Sequence, residues 1–339
     1  MNFMMRTAII VLNWKGADVT IDCLRSLVAA DGDFFVVVVD NGSCDGSVEK
    51  ISSWMDSAGV QYKNVVEGGE GNVTCECGGM LLYALGCNYG FARGNNIGIN
   101  LAMQSSPDNI LLLNNDTVVC KDFLVRLCDF RLAHPDFPVL TPLINFYSDK
   151  QRVWNAGGRL RYGFRSYYYA GCNPKDIVER EYKEISFVTG CALFVPVSLL
   201  DENNCLLTER FFFGEEDFEF SLRMTKDGIK MACVLDSLIY HKVGTSLNKQ
   251  QNTPGKVYIH YLNRFIDVRQ NYSLLFVALW RAFYMPYIAY LLHRKGCTCK
   301  EIFSFLKRLY SRSRVKNEVT YDDFIKALSQ DWCGKELQK

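Results

Sequence analysis

Three long apolar runs, each ending in polar side chains, constrain this chain most. They are "TAIIVLNW" (Thr7 to Trp14), "FFVVVVD" (Phe34 to Asp40) and "NILLLNND" (Asn109 to Asp116). Runs without polar alternation read as strands buried on both faces. Between them, "DVTIDCLRSLVAA" and "VEKISSWM" place apolar residues near helical spacing, with Asp18 as the expected N-cap of the first. "ALGCNYGFARGNNIGINLAM" reads as a strand end, a Gly/Asn loop and a helix. Strands alternating with helices predict an α/β fold on a mostly parallel sheet. Asn13, Asp40 and Asn114 to Asp116 then stand at the carboxyl edge of that sheet, where open α/β sheets bind ligands.

Of the 339 residues, 49% are hydrophobic and 22% charged, enough to build a core in one large domain or two ordinary ones. The net charge of +1 gives no reason to expect a nucleic-acid partner. The 14 cysteines are spread along the chain, and Cys128, Cys191 and Cys233 fall in apolar patterns where a thiol packs as a small hydrophobe. Reduced thiols and a cytoplasmic location are expected. The C-x-C pairs Cys75/Cys77 and Cys297/Cys299 keep zinc as the minor alternative, because structural zinc sites usually use C-x2-C. "MNFMMRTAIIVLNW" lacks the features of a signal peptide and reads as a first core strand.

Past "VCKDFLVRLCDFRLAHPD", a helix ending near His134 and Pro135, the pattern changes. Residues 140–185 are aromatic and Gly-rich and read as antiparallel strands and loops. "ISFVTGCALFVP" is strand-turn-strand or strand-helix, "FFFGEEDFEFSLRMTKDG" a loop and an amphipathic helix ending at Gly228, and "KMACVLDSLIYHKV" a strand ending at His241. Residues 1–257 are expected to form the main domain, divided into halves 1–135 and 136–257, with helices over 258–339. "SLLFVALWRAFYMPYIAYLLHRKG" is broken by Arg281 and Pro286 and followed by basic residues. It reads equally as an anchor at an anionic membrane surface, through Phe283, Tyr284 and Tyr287, or as a packed core helix. The segment Glu67 to Leu82 reads as a surface loop.

Neither G-x-G-x-x-G nor G-x-x-x-x-G-K-[ST] follows the first strand, so nicotinamide and P-loop chemistry are unsupported. Asp40 is either a turn residue for "DNGS" or an acceptor for a nucleobase or ribose. Asp116 and His241 suit a shared Mg2+ or Mn2+, although a lone histidine is more often a satisfied core residue. In "GEEDFE", acids at a helix start gain from its dipole, while one carboxylate at a cleft mouth is a general base for a hydroxyl.

Seven segments in order, "TAIIVLNWKG", "VVVVDNGSCDGS", "NYGFARGNNIGIN", "LLLNNDTVV", "VTGCALFVP", "FFFGEEDFEFSLR" and "YHKVGTS", strongly resemble the family 2 inverting glycosyltransferases, in particular their rhamnosyltransferase-like branch. The resemblance covers about residues 6–270. It implies the GT-A fold, a Rossmann-like, mostly parallel central sheet with flanking helices, here with a helical C-terminal extension. By the same resemblance, Asp40 matches the base-reading acid, and Leu12 and Asn13 line the nucleotide pocket. Asn88, Gly90, Arg93 and Asn95 match the loop beneath the nucleotide and its diphosphate. Asn114, Asn115 and Asp116 match the D-x-D motif, and His241 its metal- or diphosphate-binding partner. Asp217 matches the catalytic base and Glu216 the acid before it. Gly190 and Cys191 match the acceptor and sugar pocket, and Trp154, Gly157 and Gly158 a loop touching the sugar.

The resemblance therefore implies transfer from a nucleoside-diphosphate sugar, dTDP-rhamnose or a UDP-hexose, to a glycan or lipid-linked acceptor in surface polysaccharide synthesis. Mg2+ or Mn2+ assists, and the protein works in the cytoplasm or at the inner face of the cell membrane. Asn114 stands where D-x-D often has its first acid, so the cation is expected to bind weakly and to depend on the nucleotide and on His241. A non-catalytic scaffold of the same fold, or a nucleotidyltransferase, are the alternatives.

Overall fold

The computed structural model describes residues 5–69, 73–179, 181–243 and 254–329. Gly244 to Ser246, the end of the segment beginning at Tyr240, lie outside them. Two compact units result: Met1–Thr208 with Asp217–Ser246, and Glu209–Glu216 with Leu247–Lys339.

The first unit begins with β1 (Thr7–Asn13), α1 (Ala17–Val28), β2 (Phe34–Asp40), α2 (Ser47–Ser57), β3 (Tyr62–Val66), β4 (Met80–Ala84), α3 (Phe91–Met103) and β5 (Asn109–Asn114). It continues through β6 (Thr117–Val119), α4 (Phe123–Ala133), β7 (Val139–Phe146), β8 (Val153–Asn155), β9 (Gly158–Arg161), β10 (Phe164–Tyr167), β11 (Tyr182–Ile185) and β12 (Ala192–Pro196). After the excursion of Glu209–Glu216 come α5 (Glu216–Lys226) and β13 (Met231–His241). Among the described residues the main sheet runs β11-β13-β7-β12-β5-β1-β2-β4-β3, with β6 on β13 and β8 on β7. The strands from β5 to β3 are all parallel to one another, as the apolar runs predict. Alternate residues of β1 serve opposite faces. Ile9 and Val11 join the core under α1, α2 and α4, whereas Ala8 and Ile10 join the one under α3 and α5.

After β4 the chain crosses by α3 to β5, on the other side of β1. The strand order therefore reverses between β1 and β5, which places a ligand crevice at their carboxyl ends. Their register sets Leu12 beside Asn114, and β2 sets Asp40 beside Asn13.

Several sequence expectations change in detail. The N-cap of α1 is Gly16, and Asp18 sits in the first turn. Within Glu67 to Leu82, expected as a surface loop, Met80 to Leu82 form the buried start of β4; the residues 70–72 are not described. Over 140–185, β7 pairs in parallel with β13, while β8 on β7 and the β9–β10 hairpin are antiparallel. "ISFVTGCALFVP" takes the strand-turn-strand form.

The second unit holds α6 (Pro254–Asn271), α7 (Leu274–Arg294), α8 (Cys299–Val315) and α9 (Tyr321–Ser329). Phe265, Trp280, Tyr284, Ile288 and Leu309 are part of its core. α7 is long and apolar enough to cross a membrane by length and composition, and only 22% of its most apolar stretch is buried. Phe283 is 76% exposed and Tyr287 50%, but Tyr284 is buried against Trp280, with ring centroids 4.4 Å apart. Tyr284 is thus a core residue rather than part of a surface anchor.

Candidate active site

The carboxyl end of β1 carries a buried polar network. Asn13 Nδ2 donates to Asp40 Oδ1 at 2.6 Å, and Ser43 donates to both Asp40 oxygens, from its hydroxyl at 2.6 Å and its backbone N–H at 2.9 Å. Asp40 is 2% exposed and accepts three hydrogen bonds inside the turn. A carboxylate offers about four acceptor positions, so it retains capacity for a ligand donor. Thr20 extends the network: its hydroxyl donates to Asn13 Oδ1 at 2.8 Å and accepts from Asn115 Nδ2 at 2.8 Å. Asn115 thereby ties α1 to the end of β5 with one of its two amide hydrogens. Thr20 and Ser43 escaped the sequence reading; "DNGS", an acid with a serine three residues on, is the local signal that finds Ser43.

Asn41 holds the loop that precedes α3. Its Nδ2 donates to Asn88 Oδ1 and to the Gly90 carbonyl, each at 3.0 Å, and its Oδ1 accepts from the Tyr89 N–H at 3.0 Å. Asn88 Oδ1 also accepts from the Gly90 N–H at 2.8 Å. The Arg93 guanidinium lies 4.5 Å from the centroid of the Tyr89 ring. Asn95 is buried and donates to the Phe91 carbonyl of its own helix at 2.9 Å. α3 packs against Leu12 so closely that a Cβ on Gly94 would lie 2.7 Å from Leu12 Cδ1.

At the end of β5, Asp116 Oδ1 faces His241 Nε2 at 3.0 Å, and both residues are buried. Neither neighbours the other in sequence: β6 and the end of β13 pair as Thr117 with His241, which brings the two strand ends together. Trp154, expected in a loop, lies in β8 with its ring 4.3 Å from the His241 ring, edge-on. His241 Nδ1 is buried without a hydrogen-bond partner. Two ligand atoms 3.0 Å apart match the spacing of adjacent positions around an ion with bonds of about 2.1 Å. The residues thus fit a small hard cation that takes its remaining ligands from phosphate oxygens and water. Among the described residues no group of three or more His, Cys, Asp or Glu side chains is placed to hold a metal by itself.

β12 links this corner to the acid on α5. The Asn114 N–H donates to the Cys191 carbonyl at 2.8 Å. At the preceding residue, Gly190, a Cβ would stand 3.5 Å from the Phe91 ring and 3.9 Å from Asp217 Cβ. Asp217 therefore lies one residue from the strand position that pairs with the end of β5. Its Oδ1 is 3.5 Å from Arg165 Nη1, and both side chains are partly exposed. Arg165 sits on β10, with its guanidinium over the Tyr167 and Phe187 rings, and nothing in its local sequence marks it. Glu216 is the first residue of α5. Burial pushes the Cys191 thiol well up, and the nearby Asp116 charge adds to it, so Cys191 contributes its backbone and a neutral thiol. Gly157 and Gly158 are crowded: a Cβ would approach Ile185 Cγ2 at 2.6 Å and the Ser166 carbonyl at 2.4 Å, respectively.

Residues 5–254 match the family model described as "Glycosyltransferase like family 2". The chain belongs to this family. The family chain is similar to the dTDP-rhamnosyl transferase RfbF of Shigella flexneri, 23% identical over 214 residues, with 58% of this chain and 66% of that protein aligned. It thus spans just under two thirds of that relative's length. A mannosyltransferase of Pyrobaculum calidifontis, solved with GDP-Man and Mn2+, superposes with a TM-score of 0.54 at 12% identity over 93% of this chain and 88% of that one. S. aureus TarS 1-349, solved with UDP-GlcNAc, gives 0.50 at 16% identity over 96% and 82%. These likenesses show the GT-A fold expected from the seven segments.

Proposed function

We propose that this glycosyltransferase moves its sugar to an acceptor hydroxyl by a single in-line displacement with Asp217 as the general base. The observation that carries the reading is the path from Asp116 to Asp217: the Asn114 N–H on the Cys191 carbonyl, then Gly190 against Asp217. Asp217 takes the proton of the acceptor hydroxyl. The oxygen bonds to the anomeric carbon as the bond to the diphosphate oxygen breaks, and the configuration inverts. The Arg165 guanidinium, 3.5 Å from Asp217 Oδ1, is placed to orient the carboxylate. Asp116 and His241 are the residues that would hold Mg2+ or Mn2+, which supplies Lewis-acid stabilisation of the leaving diphosphate. Asn13, Asp40 and the loop from Asn88 to Arg93 border the crevice that takes the nucleotide.

RfbF favours dTDP-rhamnose as the donor, with a UDP-hexose or a UDP-N-acetylhexosamine, the class of the TarS ligand, as the second reading. The acceptor is a glycan or a lipid-linked glycan at the inner face of the cell membrane. Asp217→Asn tests the assignment: turnover should fall by about 10²–10⁴-fold while donor affinity stays within a factor of a few. Near-normal turnover would remove Asp217 from the role. A thermal-shift panel of nucleotide sugars with Mn2+ identifies the donor, because a ligand of the native state raises Tm.

A further inference from the structure

The second unit contains a cavity that the transfer reaction does not use. It has a volume of about 680 Å³ between α6, α7 and α8. Arg269, Arg281 and Arg314 line it, with Leu274, Ala278 and Met285 on its apolar side. Clustered guanidiniums normally find carboxylates, because burying like charges together is costly. Here no carboxylate pairs with any of the three among the described residues. Arg269 donates instead to the Arg314 and Lys316 carbonyls, both at 2.5 Å, and Arg281 to the Ser313 hydroxyl at 3.3 Å. The Nε atoms of both Arg269 and Arg281 are buried without a partner. Burial depresses the Arg281 pKa, and the charges of Arg269 and Arg314 depress it further. An anion in the cavity would neutralise the cluster by accepting from the guanidinium groups that line it.

The cavity wall is continuous with an apolar surface. Leu274 lines the cavity and is 84% exposed, and along the same helix Leu275, Leu279 and Phe283 are also exposed. A phosphate site that opens onto an exposed apolar helix face has the chemistry of an amphiphile: anionic head, hydrocarbon tail.

We propose that the cavity binds the phosphate of an anionic phospholipid, with Arg269, Arg281 and Arg314 on its oxygens and the exposed face of α7 against the acyl chains. The proposal rests on the membrane-surface part of the functional reading and is independent of the donor and the base.

The test measures binding of the full-length protein to phosphatidylglycerol vesicles and to phosphatidylcholine vesicles by co-sedimentation. The wild type is compared with Arg281→Gln/Arg314→Gln and with the charge-matched control Lys300→Gln/Lys307→Gln, which alters exposed lysines outside the cavity. Arg314 is exposed, so Arg314→Gln alone serves if the double variant fails to fold. At roughly fivefold per basic group near an anionic surface, the double variant should lose about 25-fold in affinity for phosphatidylglycerol. The control should lose clearly less. An equal loss in variant and control overturns the site while leaving surface attraction intact. Full binding by all variants leaves the membrane reading and overturns the site, whereas no binding even by the wild type overturns both. Stabilisation by inorganic phosphate as large as that by vesicles overturns the lipid and makes the cavity a site for a soluble anion.

Discussion

His241 Nε2 lies 3.0 Å from Asp116 Oδ1, at the ends of strands 125 residues apart in sequence. Among the described residues no group of three or more His, Cys, Asp or Glu side chains stands here, so the protein itself would bring few ligands and little charge. Mn2+ should therefore bind weakly to the free protein and more tightly once a nucleoside diphosphate adds phosphate oxygens. Calorimetric titration of Mn2+ with and without UDP or dTDP checks this. Asp116→Asn should lower turnover by about 10²–10³-fold, the scale for removing one stabiliser of developing charge. Equal Mn2+ affinity in wild type and Asp116→Asn would show that the cation sits elsewhere.

Gly42 secures the loop from Asn88 to Arg93 by having no side chain. Its φ is +67°, and a Cβ there would lie 2.4 Å from the Cys87 carbonyl carbon and 2.8 Å from the Asn88 backbone nitrogen. Those are main-chain atoms and cannot swing aside. Gly42→Ala should cost about 1–2 kcal/mol for the left-handed conformation alone, and more for displacing the loop. Chemical denaturation measures the first effect, and a rise in the nucleoside diphosphate Kd measures the second. Unchanged nucleotide affinity in a folded Gly42→Ala protein would mean that the loop from Asn88 to Arg93 does not touch the donor.

Legibility followed the physics of each element. β1, β2 and β5 were readable because both of their faces are buried, which removes the alternation that blurs strand signals. β3, "YKNVV", is a half-exposed edge strand whose residues point mainly to solvent, and β4 begins inside a Gly-rich stretch. Sequence order and residue type at the strand ends place Asn13 with Asp40 and Asp116 with His241, and the structure has both pairs in contact. Arg165 was invisible for the opposite reason: it reaches Asp217 only through the hairpin, 52 residues before it, so no spacing rule connects them. The same holds for Tyr284, since "AFYMPY" does not say which aromatic faces inward until Trp280 and Phe265 are in place.

The segment leading into the proposed base is clamped by α6. His260, Asn263, Arg264 and Asp267 recur at helical spacing and meet the Glu209–Glu216 segment. Asn263 Nδ2 donates to the Phe213 and Gly214 carbonyls at 3.0 and 3.1 Å, and Arg210 pairs with Asp267 at 3.1 Å. Glu215, buried and at φ +74°, lies 2.8 Å from His260 Nδ1 and is ion-paired to Arg264 Nε. Burial alone would raise the Glu215 pKa, but the Arg264 and His260 charges outweigh it and hold the carboxyl well below its usual range. Because the folded value lies below the unfolded one, near 4.3, the contribution is fully present above about pH 4.3. It is lost as pH falls through the folded value. Arg264→Met leaves a buried carboxylate short of its main partner and should cost about 3–5 kcal/mol at pH 7. Glu215→Gln/Arg264→Met removes both charges and should recover much of that loss. Urea denaturation of the wild type, both single variants and the double variant at pH 7 gives the coupling directly. Additive losses would show that Glu215 and Arg264 do not stabilise one another.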